Sequence, residues 1–267
     1  MIAANSCLFA NKGSECLKYS GKTDIGLKRK SNQDSFTVIS KEHFFSAVVC
    51  DGMGGAKGGN IASNLAVKAY TQVIKSEMSH IDYEKMSCEQ IKDILIKAVS
   101  NANKIVFETA NYDTELEGMG TTLVSVLICN GNTVACNVGD SRLYTYRDKK
   151  IKQITHDHSF VQYLLDKGSI TREEATSHPN KNIILRALGV NESVEPEIFC
   201  LKDEDYELLL LCSDGLTTHL SDEEIQTVIS ENNTKSGSLK KKAEALIAKT
   251  NEKGGIDNIT AVLIGKN

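Results

Sequence analysis

The segment Ala47-Val48-Val49-Cys50-Asp51-Gly52-Met53-Gly54-Gly55 decides how this chain folds. An apolar run from Phe44 to Cys50 is halted by Asp51-Gly52, and glycine follows at positions 52, 54, 55, 58 and 59, a density far above what a turn needs. Such a run reads as a buried strand whose length is covered and whose end is open. A carboxylate at that end is fixed by the core and still reaches solvent. Glycine there removes the side-chain wall, so that a backbone carbonyl can approach a ligand as closely as the carboxylate does. Taken alone, the segment is equally a hairpin turn leading into a helix.

The pattern recurs. Asp140 stands in Val138-Gly139-Asp140-Ser141-Arg142, Asp214 in Leu210-Leu211-Cys212-Ser213-Asp214-Gly215, and Asp257 in Gly254-Gly255-Ile256-Asp257-Asn258. Asp140 suits a tight turn between two strands, and Asp257-Asn258 could cap local backbone. Asp214 is harder to dismiss, because Leu208 to Leu211 predicts a strand buried on both faces and a carboxylate just beyond it needs a partner.

Working outward, Tyr19 to Gly26 and Ser35 to Ser40 read as strands joined by the polar stretch from Lys28 to Asp34. After Gly58-Gly59 the period becomes helical: Ile61, Leu65, Ala66, Ala69, Val73 and Ile74, then Ile91 through Val106 within a second helix over Gln90 to Ala110. Strands are expected over Thr121 to Ile128, Thr133 to Val138, Leu143 to Tyr146 and Ile151 to Ile154, with Asn130-Gly131-Asn132 marking a hairpin. Residues 157–190 are polar, with short helical stretches and a break at His178-Pro179-Asn180, a composition that suits a lid. Strands follow at Pro196 to Leu201 and Glu207 to Cys212, helices at Ser221 to Ser230 and Ser238 to Thr250, and a last strand at Asn258 to Ile264. Ser221-Asp222-Glu223-Glu224 has the spacing of a capping box. No repeat, linker or composition shift divides the chain, so one domain over 18–267 is expected, with residues 1–17 as an extension.

At 267 residues and 40% hydrophobic the chain can bury one sizeable core. A net charge of -4 argues against a nucleic-acid partner, whose phosphates require a concentrated excess of Lys and Arg. Lys240-Lys241-Lys242 reads as a solvated helix face. The eight cysteines show no C-x-x-C pair and read as free thiols. Cys50, Cys129, Cys136, Cys200 and Cys212 lie in or beside apolar runs as small hydrophobes. Reduced cysteine, no apolar stretch long enough for a bilayer and no signal-like start lead us to expect a cytoplasmic protein.

The aspartates acquire meaning as a set. Several carboxylates at strand ends, three of them with no Lys or Arg adjacent in sequence, repel one another unless a cation neutralises them. Magnesium and manganese take such oxygen ligands. Two cations sharing a carboxylate can activate a water and brace an in-line displacement at phosphorus, which points to phosphate-ester hydrolysis. Arg29 supplies a planar bidentate donor for the phosphate; it is otherwise a surface arginine.

These residues resemble a known family. Arg29-Lys30-Ser31-Asn32-Gln33-Asp34-Ser35-Phe36, Val49 to Gly55, Gly118-Met119-Gly120-Thr121-Thr122-Leu123, Val138 to Arg142, Cys212-Ser213-Asp214-Gly215 and Asp257-Asn258-Ile259-Thr260 are similar, in order, to the motifs of bacterial metal-dependent serine/threonine protein phosphatases of the protein phosphatase 2C family. The resemblance implies an α+β fold, a four-layer αββα sandwich of two antiparallel sheets with helices outside. It implies that Asp51 bridges two Mn2+ or Mg2+ ions, with the Gly52 carbonyl on one and Asp214 and Asp257 on the other, and that Asp140 with Asp214 serves a third, weaker site. Arg29 matches the phosphate-binding arginine and Asp34 the acid that orients the attacking water, which is held between the ions and acts without a phosphoenzyme. Residues 157–189 match the family's variable flap. Two departures stand out: Gln33 replaces a glutamate common in the family, and Met53 replaces the histidine proposed as general acid in eukaryotic members. His156, His158 and His178 are near the flap and read as structural or surface residues.

The expected activity is hydrolysis of phosphoserine and phosphothreonine on proteins, opposing a Ser/Thr protein kinase, by a monomer with no membrane partner. Two alternatives compete: a phosphatase-like module that binds phosphorylated partners without turnover, and an enzyme for small phosphate esters or phosphotyrosine.

Overall fold

A computed structural model describes residues 17–55, 58–231 and 238–266. The extension at 1–17 therefore lies outside the described residues except for Leu17, which is buried between the sheets; Cys7 and Cys16 lie outside too.

Eleven strands are described: β1 (Lys18–Asp24), β2 (Asp34–Ser40), β3 (Phe44–Met53), β4 (Gly120–Thr121), β5 (Leu123–Cys129), β6 (Asn132–Val138), β7 (Arg142–Arg147), β8 (Lys150–Gln153), β9 (Glu197–Leu201), β10 (Leu208–Cys212) and β11 (Ile259–Gly265). The helices are α1 (Gly58–Met78), α2 (Cys88–Tyr112), α3 (Phe160–Asp166), α4 (Arg172–Ser177), α5 (Asp214–Thr217), α6 (Asp222–Glu231) and α7 (Leu239–Glu252). One sheet runs β1-β11-β10-β7-β8 and the other β2-β3-β5-β6-β9, with β4 added to the end of β3. Every pairing is antiparallel.

Side-chain alternation assembles the four layers. Along β3, Phe45, Ala47 and Val49 enter the core between the sheets, while Phe44, Val48 and Cys50 face α1 and α2. Along β10, Leu209 and Leu211 point inward, and Leu208, Leu210 and Cys212 pack on α6 and α7. This is why both runs read as continuously apolar: each has two covered faces. Each buried leucine contributes roughly 1.5–3 kcal/mol.

The turn signals act as read. Asn130 and Gly131 both adopt positive φ, 50° and 72°, and close the β5–β6 hairpin in two residues. Ser221 and Glu224 form the capping box of α6, each side chain bonded to the other's backbone N–H.

Four readings need correction. The strand expected over Thr121 to Ile128 is broken at Thr122, because Gly120 and Thr121 pair with Met53 and Gly52, beyond the point where β5 leaves β3. Strand β1 stops at Asp24, before the turn in which Gly26 takes φ 77°. Lys242 is not on a solvated face: it is buried, and its Nζ donates to the Ile229 carbonyl, which carries the charge to a helix C-terminus. Cys200 is exposed, because β9 is an edge strand and its outer face is thinly covered.

Candidate active site

Both sheets end on the same side of the sandwich, and there they deliver the acidic residues. Asp34 begins β2 directly opposite Asp51 on β3. Asp140 lies in the β6–β7 turn, where Gly139 takes φ 109°. Asp214 is the first residue of α5, a turn of helix that the sequence did not reveal, and Asp257 precedes β11.

The backbone of Asp51 is clamped from the glycine–threonine motif. Its N–H donates to Thr122 Oγ1 at 2.9 Å, and its carbonyl accepts from the Thr122 N–H at 2.8 Å and from Thr121 Oγ1 at 2.9 Å. Thr122 Oγ1 also meets Ser141 Oγ at 2.7 Å, which ties the Asp51 strand to the Asp140 turn. The motif from Gly118 to Leu123 thus has a physical task.

Asp34 is the most enclosed carboxylate of the group. Its Oδ2 accepts from Ser213 Oγ at 2.6 Å and Thr260 Oγ1 at 2.7 Å, while Oδ1 has no hydrogen-bond partner among the described residues. Burial pushes its carboxyl up to about 7; the two hydroxyls oppose this and the charges of Asp214 and Asp257 add to it. Burial, then the charges of Asp34, Asp214 and Asp140, holds Asp51 well above the usual carboxylate range. Asp140 is raised by burial and then by Asp214 and Asp157, and Asp214 by burial and then by Asp257. The four are one electrostatic unit.

The resemblance implies a cation for this unit, and the residues fit one. All donors are hard oxygens, the carboxylates are mutually unfavourable without positive charge, and two buried acceptors, Asp34 Oδ1 and Asp140 Oδ1, have no partner among the described residues. No three His, Cys, Asp or Glu side chains among the described residues already close around a single point. Asp257 joins this group at its edge: its Oδ2 accepts from Arg29 Nη2 at 2.6 Å and its Oδ1 from the Asn258 N–H at 2.8 Å. Arg29 is half exposed; burial works to lower its pKa, but Asp257 and the charges of Asp51 and Asp214 outweigh it and raise it.

Gln33 turns out to be well used. Its side-chain amide donates to the Gly55 carbonyl at 3.0 Å, a bond that an ionised glutamate could not make. Its own carbonyl accepts from the Gly52 N–H.

The flap is fastened at both ends. At its start, Arg142 makes a forked contact with Asp157, Nε to the two carboxylate oxygens at 3.0 Å each and Nη2 to Oδ2 at 2.7 Å. At its end, the fully buried Asn103 of α2 accepts from the Gly189 N–H and donates to the Asn191 and Glu192 carbonyls. The sequence reading missed Asp157 and Asn103 as anchors. An asparagine interrupting the apolar face Val99, Ala102, Val106 was the available signal for the second; nothing local marked the first. Breaking a buried ion pair on one side costs about 3–5 kcal/mol. Asp157→Asn is accordingly expected to lower the melting temperature by about 10 °C or more and to raise KM for a phosphopeptide, as read by thermal unfolding and steady-state assay.

Each of the three histidines near the flap takes a hydrogen-bond partner close by. His158 Nδ1 accepts from the Gly139 N–H at 3.1 Å, His156 pairs with Asp166 at 2.7 Å, and His178 Nδ1 accepts from the Asn180 N–H at 3.1 Å. Between flap and core opens a cleft of about 810 Å³, floored by Asp140 and Asp214 and rimmed by Gln162, Arg172 and Lys181.

A family model described as Protein phosphatase 2C matches residues 27–251. The chain belongs to the protein phosphatase 2C family. It is 38% identical over 247 residues to the serine/threonine phosphatase stp of Listeria welshimeri, covering 92% of this chain and 94% of that one. Its structure is similar to that of the serine/threonine phosphatase Stp1 from Staphylococcus aureus, with 32% identity, full coverage of both chains and a TM-score of 0.85. It also resembles the catalytic domain of the serine threonine protein phosphatase PstP in complex with 2 manganese ions, at 33% identity, 93% and 97% coverage and a TM-score of 0.75. The protein phosphatase 2C fold and its class of activity, metal-dependent dephosphorylation of proteins on serine and threonine, stand for this chain.

Proposed function

We propose that the acidic unit divides its work as follows. Asp51 and the Gly52 carbonyl would hold one manganese or magnesium ion, Asp51 with Asp214 and Asp257 would hold a second, and Asp140 with Asp214 would offer a third, weaker position. When bound, the ions neutralise the carboxylates and supply the Lewis acidity that makes water a nucleophile for direct attack on phosphorus. Asp34 orients that water through the unpartnered Oδ1, while Ser213 and Thr260 fix the other oxygen. Arg29 receives the phosphoryl group: Nη2 rests on Asp257, and the remainder of the guanidinium is open to solvent.

The catalytic domain spans residues 18–267, with the flap at about 157–189. The cleft under that flap has room for a peptide segment, and Arg172 and Lys181 stand on its rim together with Asp166, Asp222 and Glu223. The substrates are phosphoserine and phosphothreonine proteins, among them a Ser/Thr protein kinase and its targets, and the enzyme acts as a cytoplasmic monomer. No helix among the described residues is long and apolar enough to cross a membrane.

The single observation behind this reading is the convergence of Asp34, Asp51, Asp140 and Asp214 at the sheet ends, with Asp34 Oδ1 and Asp140 Oδ1 buried and unpartnered among the described residues. The purified protein should release phosphate from a phosphothreonine peptide when manganese is supplied and stop when a chelator is added. Stoichiometric peptide binding without phosphate release at saturating manganese would instead support a binding module.

A further inference from the structure

Six free cysteines lie among the described residues, and four of them are built into the core. Burial pushes the thiols of Cys136 and Cys212 up to about 12 and that of Cys129 up to about 11, and holds Cys50 well above its ordinary value. Such thiols stay protonated and shielded. Cys88 and Cys200 differ from them in place and company.

Cys200 is exposed on the edge strand β9, directly across the ladder from Val134. Val134 and Ile198 belong to the core beneath α2, so the alternation of β9 puts the Cys200 side chain on the α2 side of the sheet. Cys88 opens α2 and packs against that same core. Its Sγ donates to Asn132 Oδ1 at 3.2 Å, and Asn132 lies two residues from Val134 along β6. The helix start and the edge strand therefore bring two thiols distant in sequence onto one small patch on the α2 side of the sheet, around Asn132 and Val134.

The surroundings distinguish their roles. Lys92, one turn beyond Cys88 on α2, pairs with Glu89 at 3.0 Å beside this patch. Burial, with Cys200 beside it, pushes the Cys88 thiol up. Cys200 is thus the accessible thiol and Cys88 its partly buried neighbour.

We infer that Cys88 and Cys200 form a modification site, a dithiol that a peroxide converts to an intramolecular disulfide across the seam between α2 and β9. The Cys200 thiolate attacks one peroxide oxygen, the O–O bond breaks, and a sulfenic acid forms as the first water leaves. The Cys88 sulfur then attacks Cys200 Sγ, the S–S bond forms, and the sulfenic oxygen departs with a proton as the second water. Two thiols are oxidised by two electrons and one peroxide is reduced. The site has a route to the active centre: β9 begins with Glu197, whose Oε2 lies 3.4 Å from His158 Nε2, and His158 accepts from the N–H of Gly139 beside Asp140.

The test is peptide mapping after brief treatment of the intact protein with hydrogen peroxide. In the majority of chains the tryptic peptide Met86–Lys92 should be joined to Ala187–Lys202, each of which carries one cysteine, and dithiothreitol should separate them. Cys88→Ser should lose the cross-link and, with dimedone present, carry the adduct on Cys200. Neither cysteine belongs to the acidic unit, and folding of the variant is checked by its unchanged melting temperature. Oxidation of wild-type Cys200 to a sulfinic acid without cross-linking, or its pairing with any other cysteine, would overturn the assignment.

Discussion

Asp214→Asn should lower kcat on a phosphothreonine peptide by about 10³-fold at saturating manganese, the order expected when a group that stabilises developing charge is lost. The same substitution should make the metal-free protein more stable. Burial and neighbouring charge raise the carboxyls of Asp34, Asp51, Asp140 and Asp214 above their ordinary values in the folded chain. A carboxyl whose folded value is raised favours the fold while it is protonated, and that contribution disappears as pH rises through the folded value. Metal-free wild type should therefore lose stability from about pH 4 upward, and Asp34, raised to about 7, places part of the loss near neutrality. Asp214→Asn removes one repelling charge, so in chelator at pH 7 its melting temperature should exceed that of wild type by about 2–4 °C, the shift given by about 1 kcal/mol in a chain of this size. The two readouts move in opposite directions, which separates a site role from ordinary damage. Full activity in the variant would remove Asp214 from the metal centre, and a lower melting temperature in chelator would deny the charge repulsion.

Much of this arrangement could be read in the sequence because strand ends carry the chemistry. Apolar runs with two covered faces, such as Phe44 to Cys50 and Leu208 to Cys212, declare themselves, and the aspartate after each run is then placed at a rim. Strand partners are a different matter. That Asp34 faces Asp51 follows from the β2–β3 register, and that Ser213 and Thr260 both reach Asp34 Oδ2 follows from the adjacency of β10 and β11. No local pattern encodes those distances. Asp257 shows the same limit, since its pairing with Arg29 joins residues separated by nearly the whole chain. The misread positions have local causes of another kind: Lys242 looked solvated because its run is charged, yet the end of α6 offers its ammonium a carbonyl. Cys200 looked buried because its run is apolar, yet β9 is the last strand of its sheet.

Gly52→Ala is expected to cost about 3 kcal/mol, the upper part of the usual range for forcing atoms into filled space, and to lower the melting temperature by about 10 °C. A Cβ at this position would lie 2.0 Å from the Gly59 carbonyl oxygen, 2.4 Å from its carbon and 2.8 Å from the Gln33 carbonyl oxygen. All of these are backbone atoms, so no rotamer change relieves the clash. The start of α1 would have to move off β3, and the Gly52 N–H bond to the Gln33 carbonyl would be strained with it. Since Gly52 is proposed to offer its own carbonyl to a metal and adjoins Asp51, the manganese concentration for half-maximal activity should rise at least tenfold even where the variant is folded. Gly55→Ala is the informative control. Its Cβ would meet nothing within 4 Å, but its φ is 43°; the cost there is one residue's left-handed strain, about 1–2 kcal/mol. Close approach of two chain segments thus separates Gly52 from a glycine kept only for its turn. Equal melting temperatures for Gly52→Ala and wild type, or a metal response no weaker than that of Gly55→Ala, would show that the backbone at this strand end is free to yield and is not a fixed ligand platform.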